Sequence, residues 1–213
     1  MRFNRIVMFV SLIGLLAAVA SAQQQNRPLS PAGSSATQVG GKWVQEKPDQ
    51  PARYTGGKWI EVTYGRPIKR QRDLFGSGAE YGKKLLDGAP VWRAGANLTT
   101  RLRTDVPLEI GGKQLPAGDY ALMVDLNEKQ WTLILSSQKA QEKYDPNDKV
   151  LLFGSFNYDP KMDVLRAPMT LSKNSMSIDQ LTIGFVDMTA TGGTLGIWWD
   201  KEIATIPFTV AGS

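Results

Sequence analysis

Histidine and cysteine are both absent from the 213-residue chain. Without histidine, the chain lacks the commonest general base and the commonest ligand of transition metals. Without cysteine it cannot form a disulfide, so a hydrophobic core must stabilise the fold. Serine–histidine–aspartate and cysteine–histidine catalysis are therefore excluded, and the sequence indicates no catalytic residue, no metal site and no cofactor.

Long apolar runs are also scarce, and the clearest one lies at the N-terminus. Arg2 and Arg5 flank its start, residues 6–20 are mostly apolar, and Ala20-Ser21-Ala22 offers small residues to a signal peptidase. This pattern predicts a signal peptide at residues 1–22. The expected location is therefore the periplasm or the exterior of the cell, with no integral membrane segment after cleavage.

A strong excess of one charge is missing as well. The chain has 25 basic and 20 acidic residues, and loss of the two arginines in the signal peptide lowers the net charge from +5 to +3. Such a mild balance does not predict binding to nucleic acid. The composition does not indicate an oligomeric state.

The part of the chain after the signal peptide divides into two regions. Residues 23–37 are rich in glutamine, serine, proline and alanine, which predicts a disordered leader. Residues 38–213 are expected to form one domain. Near its start Gly40-Gly41-Lys42-Trp43 recurs as Gly56-Gly57-Lys58-Trp59, a repetition typical of two glycine turns that each lead into a strand.

From Trp59 onward, apolar residues alternate with polar ones, as in half-buried strands. The sets predicted to face inward are Ile60, Val62 and Tyr64; Tyr120, Leu122, Val124 and Leu126; Leu181, Ile183 and Phe185; and Leu195, Ile197 and Trp199. Turn residues separate these runs, for example at 127–129 and 200–202. Eight or nine short strands predict an all-β fold, a single antiparallel β-sandwich or a jelly-roll-like domain.

The densest polar stretch runs from Tyr64 to Asn97 and combines arginines, aromatic residues and glycines. Such residues suit the recognition of carboxylate, phosphate or sugar hydroxyls. We predict that they gather around one solvent-accessible hollow that holds a small anionic or carbohydrate ligand. The alternative is that the arginines cover apolar surface and pair with acids such as Asp163 and Asp179. The candidate ligand-binding residues are Tyr64, Arg66, Arg72, Tyr81, Trp92, Arg93 and Asn97.

The same stretch resembles a bacterial exported family known as domain of unknown function 2911. The resemblance rests on Tyr64-x-Arg66-Pro67, Arg72-x-x-Phe75-Gly76, Tyr81-Gly82-Lys83, Val91-Trp92-Arg93-x-Gly95-Ala96-Asn97 and Ala117-Gly118-x-Tyr120. It extends from about Trp59 to Val210 and implies an exported, β-rich domain without an assigned activity. Two departures are the insertion of residues 84–90 and Leu98, where the family often has glutamate.

A second candidate is the pair Trp198 and Trp199. Strand alternation places Trp199 in the core and Trp198 on the opposite face, beside Gly196 and Asp200. An exposed indole next to a carboxylate suits a sugar-binding surface. The alternative is that another part of the chain covers Trp198.

Three functions are therefore compatible with the sequence. The leading hypothesis is a non-catalytic ligand-binding or structural module of the bacterial envelope or secreted fraction. The second is a carboxylate-based hydrolase that acts on glycans, with Asp163, Asp179 and Asp200 as candidate acids. The third is a protein–protein interaction module that uses edge strands or the leader.

Overall fold

The computed structural model describes residues 28–212. The predicted signal peptide at 1–22 and residues 23–27 of the predicted leader lie outside the described residues, as does Ser213. Within residues 28–212, no helix has the length and apolar character needed to cross a membrane.

Strands dominate the described residues, and the only α-helix among them, α1, is the short segment Lys83–Leu86. Two 3₁₀ turns lie at Gly78–Glu80 and Pro160–Met162. The strands are β1 Ala32–Val39, β2 Lys42–Val44, β3 Arg53–Thr55, β4 Lys58–Gly65, β5 Arg101–Thr104, β6 Leu108–Ile110, β7 Lys113–Leu115, β8 Gly118–Asp125, β9 Thr132–Ser136, β10 Asp163–Pro168, β11 Thr170–Val186 and β12 Gly192–Val210.

These strands form two main antiparallel sheets and one small one, which confirms the all-β prediction. The six-stranded sheet has the order β1-β4-β5-β8-β9-β10, and the four-stranded sheet has the order β11-β12-β6-β7. The pair β2-β3 stands apart as a two-stranded ribbon. Because strands in the six-stranded sheet follow their order along the chain, the topology favours a sandwich over a jelly roll, which needs Greek-key crossings.

One hydrophobic core joins the inner faces of the two main sheets. Val62, Leu122 and Leu133 of the six-stranded sheet belong to the same buried cluster as Ile183 and Ile197 of the four-stranded sheet. The predicted alternation therefore selects the correct inward side chains on β4, β8, β11 and β12.

The outer face of β8 and β9 is also buried, which alternation alone does not predict. Ala121, Met123 and Ile134 lie on this face and pack with Val91 and Leu152, which come from two loops. Loops therefore cover one part of the outer face of the six-stranded sheet. The neighbouring part, on β4 and β5, carries polar side chains.

The structure corrects the C-terminal boundary of the predicted leader. Residues 32–37, expected to be disordered, belong to β1, which pairs with β4 over its full length from Ala32 opposite Gly65 to Val39 opposite Lys58. Only Val39 of this strand is fully buried, so its composition resembles a disordered segment. Hydrogen bonds to the backbone of β4 order this segment, and its side-chain composition does not predict them.

The predicted turn at 200–202 is wrong, and so is the expectation that all strands are short. Strand β12 continues through these residues to Val210 and pairs with the long β11. Asp200 adopts a left-handed backbone with φ of 54°, and the β11–β12 register is interrupted at this point. This irregularity changes which side chains face inward, so Glu202, opposite Lys173, becomes buried.

Candidate functional site

Three neighbouring strands of the six-stranded sheet carry polar side chains on its outer face. Glu61 on β4 lies opposite Arg103 on β5, and Arg103 lies opposite Asp119 on β8. Two residues along the strands, Thr63 lies opposite Arg101. Since side chains alternate between the faces of a strand, all five lie on the side away from the core.

A groove of about 840 Å³ lies on this face. Glu61, Thr63, Arg101 and Asp119 contribute to it from the sheet. Further lining comes from residues 32–34 of the edge strand β1, from 96–99 before β5, and from 140–142 after β9. We call this site the polar groove.

Carboxylates outnumber guanidinium groups in the polar groove. Asp119, Glu61 and Glu142 line it, together with the single arginine Arg101. Arg101 donates two hydrogen bonds to Asp119, from Nε to Oδ1 at 3.1 Å and from Nη2 to Oδ2 at 2.5 Å. This bidentate pair fixes both side chains, and the groove as a whole is negatively charged, which disfavours an anionic ligand.

Several polar groups in the groove are available to a ligand. Within residues 28–212, the half-buried Glu61 has no ion-pair or side-chain hydrogen-bond partner, and neither has the exposed hydroxyl of Ser34 or Thr63. At the edge of the groove, Asn97 donates from Nδ2 to the carbonyl of Ser30 at 3.1 Å. Hydroxyls, carboxylates and one fixed guanidinium can both donate to and accept from the hydroxyls of a ligand.

Tyr64, a predicted ligand-binding residue, joins the two sheets of the sandwich. Its ring is buried, and its hydroxyl donates to the carbonyl of Ile183 at 3.2 Å and accepts from the amide of the same residue at 2.9 Å. Ile183 lies on β11, an edge strand of the four-stranded sheet. Tyr64 also lines the polar groove, but its hydroxyl is already used by the fold.

Trp92 and Tyr81 are parts of the aromatic core rather than walls of an open site. Trp92 is 1% exposed and stacks on Trp199, with ring centroids 6.0 Å apart. Tyr81 stacks on Phe75 at 5.9 Å and accepts a hydrogen bond from the indole nitrogen of Trp131 at 2.9 Å. Burial raises the pKa of Tyr81 to about 12.

The first two predicted arginines bond to the protein's own backbone. Arg66 donates from Nε to the carbonyl of Leu181 at 3.4 Å. The exposed Arg72 donates from Nε to the carbonyl of Lys69 at 2.9 Å and from Nη2 to that of Ile68 at 2.7 Å. Both guanidinium groups therefore hold loops in place.

The third arginine, Arg93, packs beneath the loop at residues 152–156. Its guanidinium carbon lies 5.9 Å from the centre of the Phe156 ring, and Nη1 donates to the carbonyl of Asn97 at 3.4 Å. Burial lowers the pKa of Arg93, while the charge of Asp87 acts in the opposite direction.

The seven predicted residues thus do not surround one hollow. Only Tyr64 and Asn97 line the polar groove, and none of the three arginines does. The alternative partner Asp163 accepts hydrogen bonds from Tyr158 and Arg166 instead. A ligand-binding role for the seven stays a prediction, and the structure gives most of them a role in the scaffold.

Comparison with known proteins places the chain among relatives of unassigned activity. Residues 47–208 match the family described as Protein of unknown function (DUF2911). The chain belongs to this family. No curated protein matches the chain, and no solved structure does so.

The DUF2911 match begins after β1 and β2, although β1 contributes residues 32–34 to the polar groove. Within the match, two segments that resemble the family touch closely. A Cβ atom on Gly65 would lie 2.0 Å from the carbonyl oxygen of Ala96, so only glycine allows this approach. The nearby Leu98, which departs from the family pattern, lines the groove.

The groove residues Glu61, Thr63, Arg101 and Asp119 were not among the sequence candidates. The alternation of β4 places Glu61 and Thr63 on the outer face of the sheet. It does not show which part of that face the loops leave uncovered. Trp198, the other sequence candidate, is half-buried. Its ring occupies the space above Gly196, since a Cβ there would lie 2.2 Å from Trp198 Cη2.

Proposed function

We propose that this DUF2911 protein is a non-catalytic binding module of the bacterial envelope or secreted fraction, and that it holds a neutral carbohydrate in the polar groove. The proposed location rests on the sequence of residues 1–22, which has the three parts of a signal peptide. The proposed ligand rests on the side chains of the groove.

The chemistry of the groove favours a neutral polyhydroxylated ligand over an anion. Three carboxylates and one guanidinium line the groove, and the guanidinium is already paired with Asp119. An anion would meet more negative than positive side chains among the residues that line the groove. Sugar hydroxyls, in contrast, can donate to these carboxylates and accept from the hydroxyls of Ser34 and Thr63.

The observation that carries the proposal is the position of Glu61. It lies in the middle of the exposed sheet face, is half-buried, and has no partner within residues 28–212. Both oxygens of its carboxylate are therefore available to accept hydrogen bonds from a ligand. A ligand hydroxyl would supply the missing hydrogen bond.

Isothermal titration calorimetry with cellohexaose, chitohexaose and maltohexaose tests the proposal, with inorganic phosphate as the anionic comparison. We expect at least one oligosaccharide to bind and phosphate not to bind. Glu61→Gln should weaken that binding about tenfold, because it replaces a charge-assisted hydrogen bond with a weaker neutral one. Glu109→Gln, an exposed carboxylate on the four-stranded sheet, is the matched control and should leave binding unchanged. Binding of phosphate alone would contradict the proposal.

Export has its own test, because it does not depend on the ligand. The full-length chain is expressed in a bacterium and the mature protein is recovered from the periplasm or the medium. N-terminal sequencing should then begin at Gln23, directly after Ala20-Ser21-Ala22. A cytoplasmic protein that keeps residues 1–22 would contradict the proposed location.

A glycan hydrolase is the second candidate, because two carboxylates share one row of the groove. Glu61 and Asp119 lie on strands separated by β5, so their Cα atoms are about 10 Å apart. Inverting glycosidases place two carboxyl groups about 6.5–9.5 Å apart. Release of new reducing ends from the same oligosaccharides, abolished by Asp119→Asn, would favour this candidate over a non-catalytic module.

A further inference from the structure

Two of the six tryptophans lie largely in solvent, in contrast to the buried ones. Trp43 is 71% exposed and Trp59 is 52% exposed, whereas Trp92, Trp131 and Trp199 are each at most 2% exposed. Exposed aromatic side chains that lie next to one another form the kind of contiguous apolar patch that often marks a binding site.

A third aromatic ring, Tyr54, lines the same cavity as both exposed tryptophans and packs against Trp43. Trp43 lies opposite Tyr54 in the β2–β3 pair and meets it edge to face, with centroids 5.6 Å apart. The hydroxyl of Tyr54 accepts a hydrogen bond from the amide of Gly41 at 2.9 Å. We call Trp43, Tyr54 and Trp59 the aromatic strip.

The repeated sequence Gly-Gly-Lys-Trp explains how Tyr54 is held in place. The first glycine of each copy, Gly40 and Gly56, has a positive φ of 72° and 74°. The second glycines, Gly41 and Gly57, touch the ring of Tyr54, and a Cβ on either would lie 2.5 or 2.7 Å from its Cε1 atom. The repeat therefore fixes Tyr54 between two turns and presents one tryptophan after each turn.

The aromatic strip and the polar groove border cavities that share lining residues. A cavity of about 800 Å³ is lined by the strip and by polar side chains such as Gln38 and Lys42. Trp59 also borders a cavity of about 380 Å³ that it shares with Glu61, and Glu61 lines the polar groove. From Thr63 to Trp59 the strand β4 alone extends about 13 Å, which is longer than one sugar ring.

We propose that Trp43 and Trp59 stack on sugar rings, so that the polar groove and the aromatic strip together bind a linear, neutral oligosaccharide of several units. This inference rests on the proposed function and adds the length of the ligand. Flat, rigid indoles can cover the apolar face of a sugar ring, while the polar edge of the ring meets Gln38, Glu61 and neighbouring groups. Because the glycine turns and Tyr54 position the aromatic strip before a ligand arrives, less conformational entropy is lost on binding.

The test compares long and short probes on four proteins. The proteins are the wild type, Trp43→Ala, Trp59→Ala and the control Tyr144→Ala, whose ring is 58% exposed but lies outside the aromatic strip. We expect both tryptophan variants to bind the preferred hexasaccharide about tenfold more weakly or worse. The matching disaccharide, which fits the polar groove alone, should bind the tryptophan variants and the wild type equally. Tyr144→Ala should behave as the wild type with both probes.

The outcomes separate this inference from the proposed function. If no oligosaccharide binds the wild type, the proposed function fails, and this inference fails with it. If Glu61→Gln weakens binding but both tryptophan variants retain wild-type affinity for the hexasaccharide, the polar groove binds the ligand and the aromatic strip does not.

Sedimentation of the free protein gives a further control. A dimer that Trp43→Ala converts to a monomer would show that a second copy of the chain covers the strip, which would overturn the inference.

Discussion

Replacing Tyr64 by phenylalanine should destabilise the fold without changing the shape of the core. Phenylalanine keeps the buried ring but removes the hydroxyl that bonds to both the amide and the carbonyl of Ile183. The carbonyl retains a hydrogen bond from Ser35 Oγ at 2.6 Å, so the amide is the group left without a partner. A buried amide without a partner costs about 1–3 kcal/mol, and we expect a loss of about 2 kcal/mol in the free energy of unfolding.

Urea unfolding, followed by circular dichroism, measures this loss directly. In a domain of this size about 2 kcal/mol also lowers the Tm by roughly 4–8 °C. Tyr144→Phe, on an exposed ring for which the structure shows no hydroxyl hydrogen bond, should change the stability by less than about 0.5 kcal/mol. If Tyr64→Phe is as stable as the wild type within that margin, the hydroxyl does not join the two sheets.

Two further predictions concern the pH dependence of stability. The free energy of unfolding should decrease as the pH rises from 10 to about 12, because Tyr81 ionises near its ordinary pKa of 10.0 when unfolded and near about 12 in the fold. Urea unfolding of Tyr81→Phe in this range should show a smaller decrease, and an unchanged decrease would contradict burial of this phenol. Burial raises the pKa of Asp200, but hydrogen bonds from Lys69 and Ser177 outweigh it and lower that pKa below 3.8. Asp200 therefore contributes stability above pH 3.8 that is lost as the pH falls further, and Asp200→Asn should make the protein less sensitive to acid in the same assay.

The sequence predicts the core strands well because alternation reports burial on one side of a strand. Ile60, Val62 and Tyr64 face inward as expected, and so do Leu195 and Ile197. Alternation does not report which backbone pairs with which. Residues 32–37 therefore look disordered by composition, although β4 holds them as an edge strand.

The residues typical of turns also do not determine the local structure on their own. Asp200-Lys201-Glu202 has the composition of a turn, but a polar residue with a left-handed backbone also fits an irregularity within a strand. The structure uses the second option, and Glu202 becomes a buried partner of Lys173. Pairing with the neighbouring strand β11 determines that the chain forms the strand irregularity and not the turn.

The candidate site was harder to predict than the fold, for a physical reason. The donors of Arg66 and Arg72 match the oxygens of a ligand and the carbonyls of the protein backbone equally well, and here they bond to backbone carbonyls. The groove residues Glu61 and Asp119 belong to ordinary strand patterns, and they become a site only because loops leave their part of the sheet uncovered.

Mapping the bound ligand by nuclear magnetic resonance tests the central claim most directly. The protein, labelled with ¹⁵N, is titrated with the oligosaccharide that binds best in calorimetry, and the shifted amide signals are assigned. We expect the largest shifts at Glu61, Thr63, Arg101 and Asp119, together with the indole signals of Trp43 and Trp59. Shifts confined to the loops around Arg66, Arg72 and Arg93, or to the four-stranded sheet, would show that the polar groove is not the binding site.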